Sequence, residues 1–296
     1  MPEPISTFSE LLEAAGDIGR QPAGRDDAID LSAYLTRIGY TGPLRSTPDV
    51  LTGLIERHMA MIPFEAIDVM LGRGIDLSPE QVDGKLLAKR RGGYCFEHQS
   101  LLRRALVAIG FPVEPLLARV RVRQAPDGST PPATHASLKV EAGGRFWLAD
   151  TGFGGFMPNV PLAWEVGTAQ ETRFGIFRIR DTDDGQLIET RNDDGWSPLY
   201  EILQFHWRSV DFEVANHYVA HHPSSPFRTT LMAARTEVET RYTLAGNRLT
   251  IQCAGGSREE RLLDTDGIET ALGTIFGLPV EPEWRPLIER AATPPG

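Results

Sequence analysis

The sequence predicts an α+β protein made of helices first, strands next and a mixed α/β unit last. Three observations predict it. Apolar residues recur at helical spacing from Leu31 to Ile109. Strand-like runs separated by Gly, Asp and Pro turn signals dominate from Leu116 to Thr190. Both periods then alternate from Asp211 to Phe276.

Residues 1–29 are rich in Pro, Gly and charge and read as an N-terminal extension. Within it, Thr7-x-x-Glu10 before Leu11-Leu12 is a capping box for one short helix, against a mobile tail as the other reading. Leu31, Tyr34, Leu35 and Ile38 share one helix face. Thr47-Pro48 opens the next helix, with Pro at its first position and Leu51, Leu54, Ile55, His58 and Met59 on its apolar side. A third helix starts at Ser78-Pro79-Glu80, and a fourth carries Leu101, Leu102, Ala105, Leu106 and Ile109.

Strand-like runs follow at Leu116–Val122, Ser137–Val140 and Phe146–Leu148, the last two joined by the turn Ala142-Gly143-Gly144. Phe174–Ile179 and Leu187–Thr190 flank the hairpin loop Asp181-Thr182-Asp183-Asp184-Gly185. Asp211–His221 is helix-like, Tyr242–Leu244 and Leu249–Ile251 form a hairpin over Ala245-Gly246-Asn247, and a helix over Ile268–Phe276 stops at Gly277 and Pro279.

The chain has 296 residues, enough to bury a sizeable core. Its 30 Lys and Arg against 40 Asp and Glu leave a net charge of −10, which argues against nucleic-acid binding. A local cluster such as Lys89-Arg90-Arg91 can still hold an anion. Only two cysteines, Cys95 and Cys253, point to a reducing compartment rather than a disulfide. Cys253 reads as a small buried hydrophobe. With no leader-like start and no apolar run of membrane-spanning length, the expected location is the cytoplasm, with no membrane partner.

The chemistry gathers at Arg91-Gly92-Gly93-Tyr94-Cys95-Phe96-Glu97-His98. Two glycines permit a sharp, closely approached turn, and Cys95 then opens an apolar helix. The positive end of that helix favours a thiolate, the reactive form of the side chain. A nucleophilic cysteine needs a base and a group that orients the base. His135 begins one strand-like run and Asp150 ends the next, so the intervening hairpin brings them together. Cys95, His135 and Asp150 thus read as nucleophile, general base and orienter, against a structural thiol, a core histidine and a turn-capping aspartate.

Gly152-Phe153-Gly154-Gly155 is a weaker signal: its N–H groups suit phosphates, or it is an ordinary turn, and it lacks the ending of a nucleotide P-loop. His217, His221 and His222 lie at helical spacing, yet no carboxylate or thiolate completes a metal set, so a solvated helix end is expected and no metal. His58 reads as a core or interface histidine. His98, one turn after Cys95, reads as core packing or as a support for the site.

The motifs Arg91–Glu97, Thr134-His135-Ala136 and Asp150-Thr151-Gly152-Phe153-Gly154-Gly155 resemble the arylamine N-acetyltransferase family. Ile62-Pro63-Phe64-Glu65, Asp68-Val69, Leu31–Tyr40, Ser225-Pro226-Phe227 and Leu231-Met232-Ala233 fit it too, in the same order from about residue 30 onward. The resemblance implies a helical bundle over 30–110 carrying the cysteine, a β-barrel-like domain over 111–205 carrying the histidine and aspartate, and an α/β lid over 206–296. It also implies a relation to the cysteine-protease-like fold. The implied reaction is acetyl-CoA-dependent N-acetylation of aromatic amines and hydrazines through an acetyl-Cys95 intermediate. Phe64, Phe96, Phe153 and Phe227 would line the amine pocket, and Gly152, Gly154 and Gly155 would face the cofactor. Glu65 and Arg91 look like an ion pair bracing the catalytic loop, with a phosphate contact for Arg91 as the other reading. An amide synthase, a Cys–His–Asp hydrolase and a non-catalytic binding module are the alternatives weighed against it.

Overall fold

The computed structural model describes residues 28–122 and 128–293. The proposed helix at Thr7–Glu10 lies outside these residues, as does nearly all of the extension.

Five helices and one π-helical turn come first: α1 (Leu31–Ile38), α2 (Pro48–Met61), α3 (Ile67–Met70), α4 (Pro79–Asp83) with the π-helical turn over Gly84–Ala88, and α5 (Cys95–Ile109). Their ends follow from the sequence. The Asp30 carboxylate accepts the Ala33 N–H at 2.9 Å to start α1, and Gly39 ends it in the left-handed region at φ 66°. The Thr47 hydroxyl caps α2 with Pro48 at the first position, and Gly110 closes α5 at φ 106°. Tyr34, Ile38, Leu51, Leu54, Ile55, Leu101, Leu102 and Leu106 interlock as the first core. Leu138, Val140 and Ala142 from the following sheet seal it.

The middle of the chain forms an eight-stranded antiparallel sheet: β2 (Val113–Val120), β3 (Ala133–Ala142), β4 (Arg145–Ala149), β5 (Leu162–Ala163), β6 (Gln170–Thr172), β7 (Gly175–Asp181), β8 (Gly185–Asn192) and β9 (Gly195–Leu203). The order across the sheet is β5-β4-β3-β2-β9-β8-β7-β6. The sheet curls until its two edges meet. The Gln170 amide on β6 donates to the Ala163 carbonyl on β5 at 2.9 Å and accepts the Ala163 N–H at 2.7 Å. This is the barrel-like element, with Leu116, Ala118, Phe177, Ile179, Ile188 and Tyr200 inside. The β3–β4 turn has Gly143 and Gly144 at φ 61° and 72°, the pair of positive values a two-residue hairpin requires.

The last part holds α6 (Ser209–His221), β10 (Met232–Thr236), β11 (Thr240–Ala245), β12 (Arg248–Cys253), β13 (Arg258–Leu262), α7 (Thr265–Thr274) and α8 (Arg285–Ala292). Strands β10 to β13 form an antiparallel sheet that takes a fifth strand, β1 (Phe64–Glu65), from the helical part. In that pairing Phe64 faces Ala234 and Glu65 faces Ala233. Sequence patterning misses α3, β1, β5, β6, β9, β10, β13 and α8. Both cysteines are free, and Cys253 is half-buried at the end of β12.

Candidate active site

Cys95 is the first residue of α5, as the double glycine implied. Tyr94 precedes it in extended conformation, and the Glu97 carboxylate accepts the Tyr94 N–H at 3.0 Å. Gly92 and Gly93 are glycines for lack of space. A Cβ on Gly92 would lie 2.1 Å from the Pro63 carbonyl oxygen, and one on Gly93 would lie 2.8 Å from the Glu97 carboxylate.

His135 stands on β3 beside an irregularity: Ala118 pairs with His135 and Arg119 with Ala133, leaving Thr134 as the extra residue. Such a bulge re-aims neighbouring groups. Here it turns the Thr134 carbonyl toward Cys95, 3.9 Å from Sγ, and Cys95 is among the groups that favour charge on the His135 ring. Asp150 follows β4, and its Oδ2 accepts His135 Nε2–H at 2.7 Å. All three side chains are buried, at 3 %, 2 % and 4 % exposure. Burial opposes charge on the imidazole, but the Asp150 carboxylate and the contact with Cys95 outweigh it and raise His135 to about 9. Near neutral pH the ring is therefore an imidazolium between sulfur and carboxylate.

Asp150 is held on several sides. Its Oδ1 accepts the Gly152 N–H at 2.9 Å and Gln99 Nε2–H at 3.2 Å. Tyr200 lays its ring 4.7 Å from that of His135 and 4.8 Å from that of Phe153. Sequence reading missed both residues. Gln99 had a signal, since it lies one helical turn after Cys95 on the same face. Tyr200 had none, because it sits on the unrecognised β9.

Gly152 is pressed against Cys95: a Cβ there would lie 2.6 Å from Cys95 Cα. Gly155 is pressed against the last sheet, where a Cβ would meet the Thr243 methyl at 1.9 Å. Gly154, at φ 68°, has open space around it. Phe153 packs on His135 with ring centroids 4.7 Å apart. Phe64, Phe96 and Cys95 share one apolar cluster, against which Phe227 packs, and Phe64 and Phe227 lie 5.9 Å apart. The four predicted aromatic residues thus all lie in the clusters around Cys95 and His135.

Below the catalytic turn lies an ionic network. Arg91 donates to Glu65 Oε1 from Nε at 2.9 Å and from Nη2 at 2.7 Å. Lys85 reaches Asp68 and Glu97, each at 2.8 Å. Burial pushes Glu97 upward despite Lys85. Arg91 is buried and committed to this network, while Lys89 and Arg90 are exposed. His58 and His98 form a core relay, Nε2 to Nδ1 at 2.8 Å, continued to the Tyr34 hydroxyl at 3.0 Å. His217 and His221 stack at 4.3 Å on α6. Among the described residues no group of three or more His, Cys, Asp or Glu is arranged to hold a metal.

A cysteine at a helix start, a charged histidine and a buried aspartate are the groups that thiol-dependent acyl transfer requires. Comparison with known proteins narrows the class. The family model described as N-acetyltransferase matches residues 47–285. The arylamine N-acetyltransferase of Mycobacterium tuberculosis is 40 % identical over 256 residues, covering 86 % of this chain and 90 % of that protein. The solved structure of the M. tuberculosis enzyme superposes with a TM-score of 0.83 at 38 % identity, over 89 % of this chain and all of that one. The Mycobacterium marinum enzyme in complex with CoA gives 0.82 at 38 % identity, over 89 % and 98 % of the two chains. The chain belongs to the N-acetyltransferase family to which these enzymes belong.

Proposed function

We propose that this protein transfers acetyl groups from acetyl-CoA to aromatic amines and hydrazines through an acetyl-Cys95 intermediate. The observation that carries the reading is the Cys95–His135–Asp150 relay, with its imidazolium, on a chain of this family. The Cys95 thiolate attacks the thioester carbonyl, the bond to the CoA sulfur breaks, and His135 gives its proton to the departing CoA thiolate. The amine nitrogen then attacks acetyl-Cys95. His135 takes the proton that nitrogen loses, the C–S bond breaks, and the thiolate is restored. Asp150 keeps the ring oriented and favours its charge in both steps.

Phe64, Phe96, Phe153 and Phe227 are our candidates for the amine pocket, whose flat walls suit a flat substrate. The turn Gly152–Gly155 is our candidate for the CoA side: Gly154 has room at its α-carbon, and Gly152 and Gly155 keep the turn close to Cys95 and Thr243. We retain 30–110, 111–205 and 206–296 as working domains, after the extension 1–29. No helix among the described residues is long and apolar enough to cross a membrane, and two free cysteines support a cytoplasmic location.

The test is intact mass after mixing with acetyl-CoA and no amine, beside Cys95→Ala. One acetyl group on the parent protein alone is expected. Absence of the adduct, with Cys95 still alkylated by iodoacetamide, would sink the acetyl-CoA reading.

A further inference from the structure

Tyr34, His58 and His98 are wholly buried, and the proposed acyl transfer uses none of them. Buried polar side chains meet their hydrogen-bonding needs nearby. These three do so in series. The Tyr34 hydroxyl on α1 lies 3.0 Å from His58 Nδ1 on α2, and His58 Nε2 lies 2.8 Å from His98 Nδ1 on α5. His98 Nε2 then lies 3.2 Å from the Pro63 carbonyl oxygen.

The far end of the series fixes every proton. A carbonyl only accepts, so His98 Nε2 carries hydrogen. The other nitrogen of the neutral ring then accepts, so His58 Nε2 carries hydrogen in turn. His58 Nδ1 accepts, and the Tyr34 hydroxyl donates to it. The result is one directed chain from Tyr34 through His58 and His98 to Pro63. Hydrogen bonds in such a chain polarise one another and favour a single arrangement.

The carbonyl at its end belongs to the catalytic turn. It also accepts the Gly93 N–H at 3.3 Å, and the Gly93 carbonyl accepts the Glu65 N–H at 2.8 Å. Gly93 lies just before the Tyr94–Cys95 step, and His98 lies one helical turn after it. One oxygen therefore holds the chain both upstream and downstream of Cys95. Without the His98 N–H, it keeps only its bond to Gly93.

We propose that His98 is a positioning residue for Cys95: the directed chain from Tyr34 pins the Pro63 carbonyl, and that carbonyl fixes the turn that aims the sulfur. This rests on the acetyl-transfer reading above. The effect falls on the rate at which Cys95 attacks, not on the binding of acetyl-CoA.

The test follows the CoA burst near neutral pH across a range of acetyl-CoA concentrations, in variants whose urea unfolding remains cooperative. His98→Leu keeps an apolar side chain but neither hydrogen bond. Its maximal burst rate is expected to fall roughly 10- to 100-fold with half-saturation unchanged, since a misplacement of about 1 Å can cost about 100-fold. His98→Gln carries an amide that can both accept and donate, and is expected to stay within about 5-fold of the parent. Tyr34→Phe removes one oxygen at the start of the chain, and a loss of roughly 2- to 10-fold is expected. Tyr34→Phe should add nothing to His98→Leu in the double variant, because the chain is already cut. If His98→Leu fails to fold, Tyr34→Phe decides, since it keeps the core volume. A parent-like rate in Tyr34→Phe or His98→Leu, equal losses in His98→Leu and His98→Gln, losses that multiply in the double variant, or a loss confined to half-saturation overturns the assignment. Absence of a CoA burst in the parent enzyme would instead overturn the acetyl-transfer reading itself.

Discussion

His135 holds its proton because Asp150 and Cys95 outweigh the cost of burying a charge. In the proposed mechanism, that sets the pH at which the site stops working. Below about 9 the imidazolium can protonate departing CoA; above it, that proton is gone. The CoA burst is therefore expected to decline as pH rises through about 9, while alkylation of Cys95 by iodoacetamide, which needs no acid, does not decline. Parallel decline of both rates would contradict this. Asp150→Asn leaves the shape of the site but removes the charge that orients and stabilises the ring, so a loss of about 10³- to 10⁴-fold in burst rate is expected. Gly152→Ala tests the tightest contact, since its Cβ would sit 2.6 Å from Cys95 Cα. A stability loss of about 1–3 kcal/mol, read by urea unfolding, should accompany a slower burst.

Elements carry their own pH dependence. The relay that joins α1, α2 and α5 through Tyr34, His58 and His98 is wholly buried, which lowers His98 to about 4 and His58 well below its ordinary value. An unfolded chain protonates both rings near pH 6.5, and the folded one resists, so stability falls as pH drops from about 6.5 toward 4. The His98 contribution to that fall is about 3 kcal/mol at its full extent. His98→Leu should flatten the acid limb of a plot of urea midpoint against pH; an unchanged limb would rule the relay out as its cause.

The elements also show what sequence can carry. The helix opened by Thr47-Pro48, the Gly143-Gly144 hairpin and the Cys95, His135 and Asp150 positions were legible because local chemistry dictates them. Strand β9 was hidden by Pro198, which the sheet tolerates at a bulge: Ile188 faces Tyr200 and Glu189 faces Pro198, with Leu199 extra. Strand β13 was hidden by its charges. Arg-Glu-Glu-Arg-Leu is exposed throughout and has no apolar alternation, but an edge strand needs none, and Arg248 pairs with Glu260 across the ladder at 2.8 Å. Gln99 and Tyr200 gain their meaning only from residues far away in sequence.

At the scale of the whole molecule, the last part of the chain holds the first. Trp284, fully buried, lies under the Arg91 guanidinium at 4.6 Å, next to the turn that presents Cys95. Arg235 on β10 donates from Nε to the Ala60 carbonyl at 2.6 Å and from Nη1 to the Ile275 carbonyl at 2.8 Å, linking α2 to the end of α7. Trp284→Ala removes a large core side chain and the cover over a buried cation, and a loss of about 3–5 kcal/mol is expected by urea unfolding. The pairing of Phe64 with Ala234 has a further consequence, in time rather than in space. On a ribosome adding roughly 5–20 residues per second, the catalytic turn emerges well before the strand that pins its neighbour. Cys95 is therefore translated early but matures late. A nascent chain halted before Met232 would carry Cys95 without the partner strand that fixes Phe64 and Glu65 beside it.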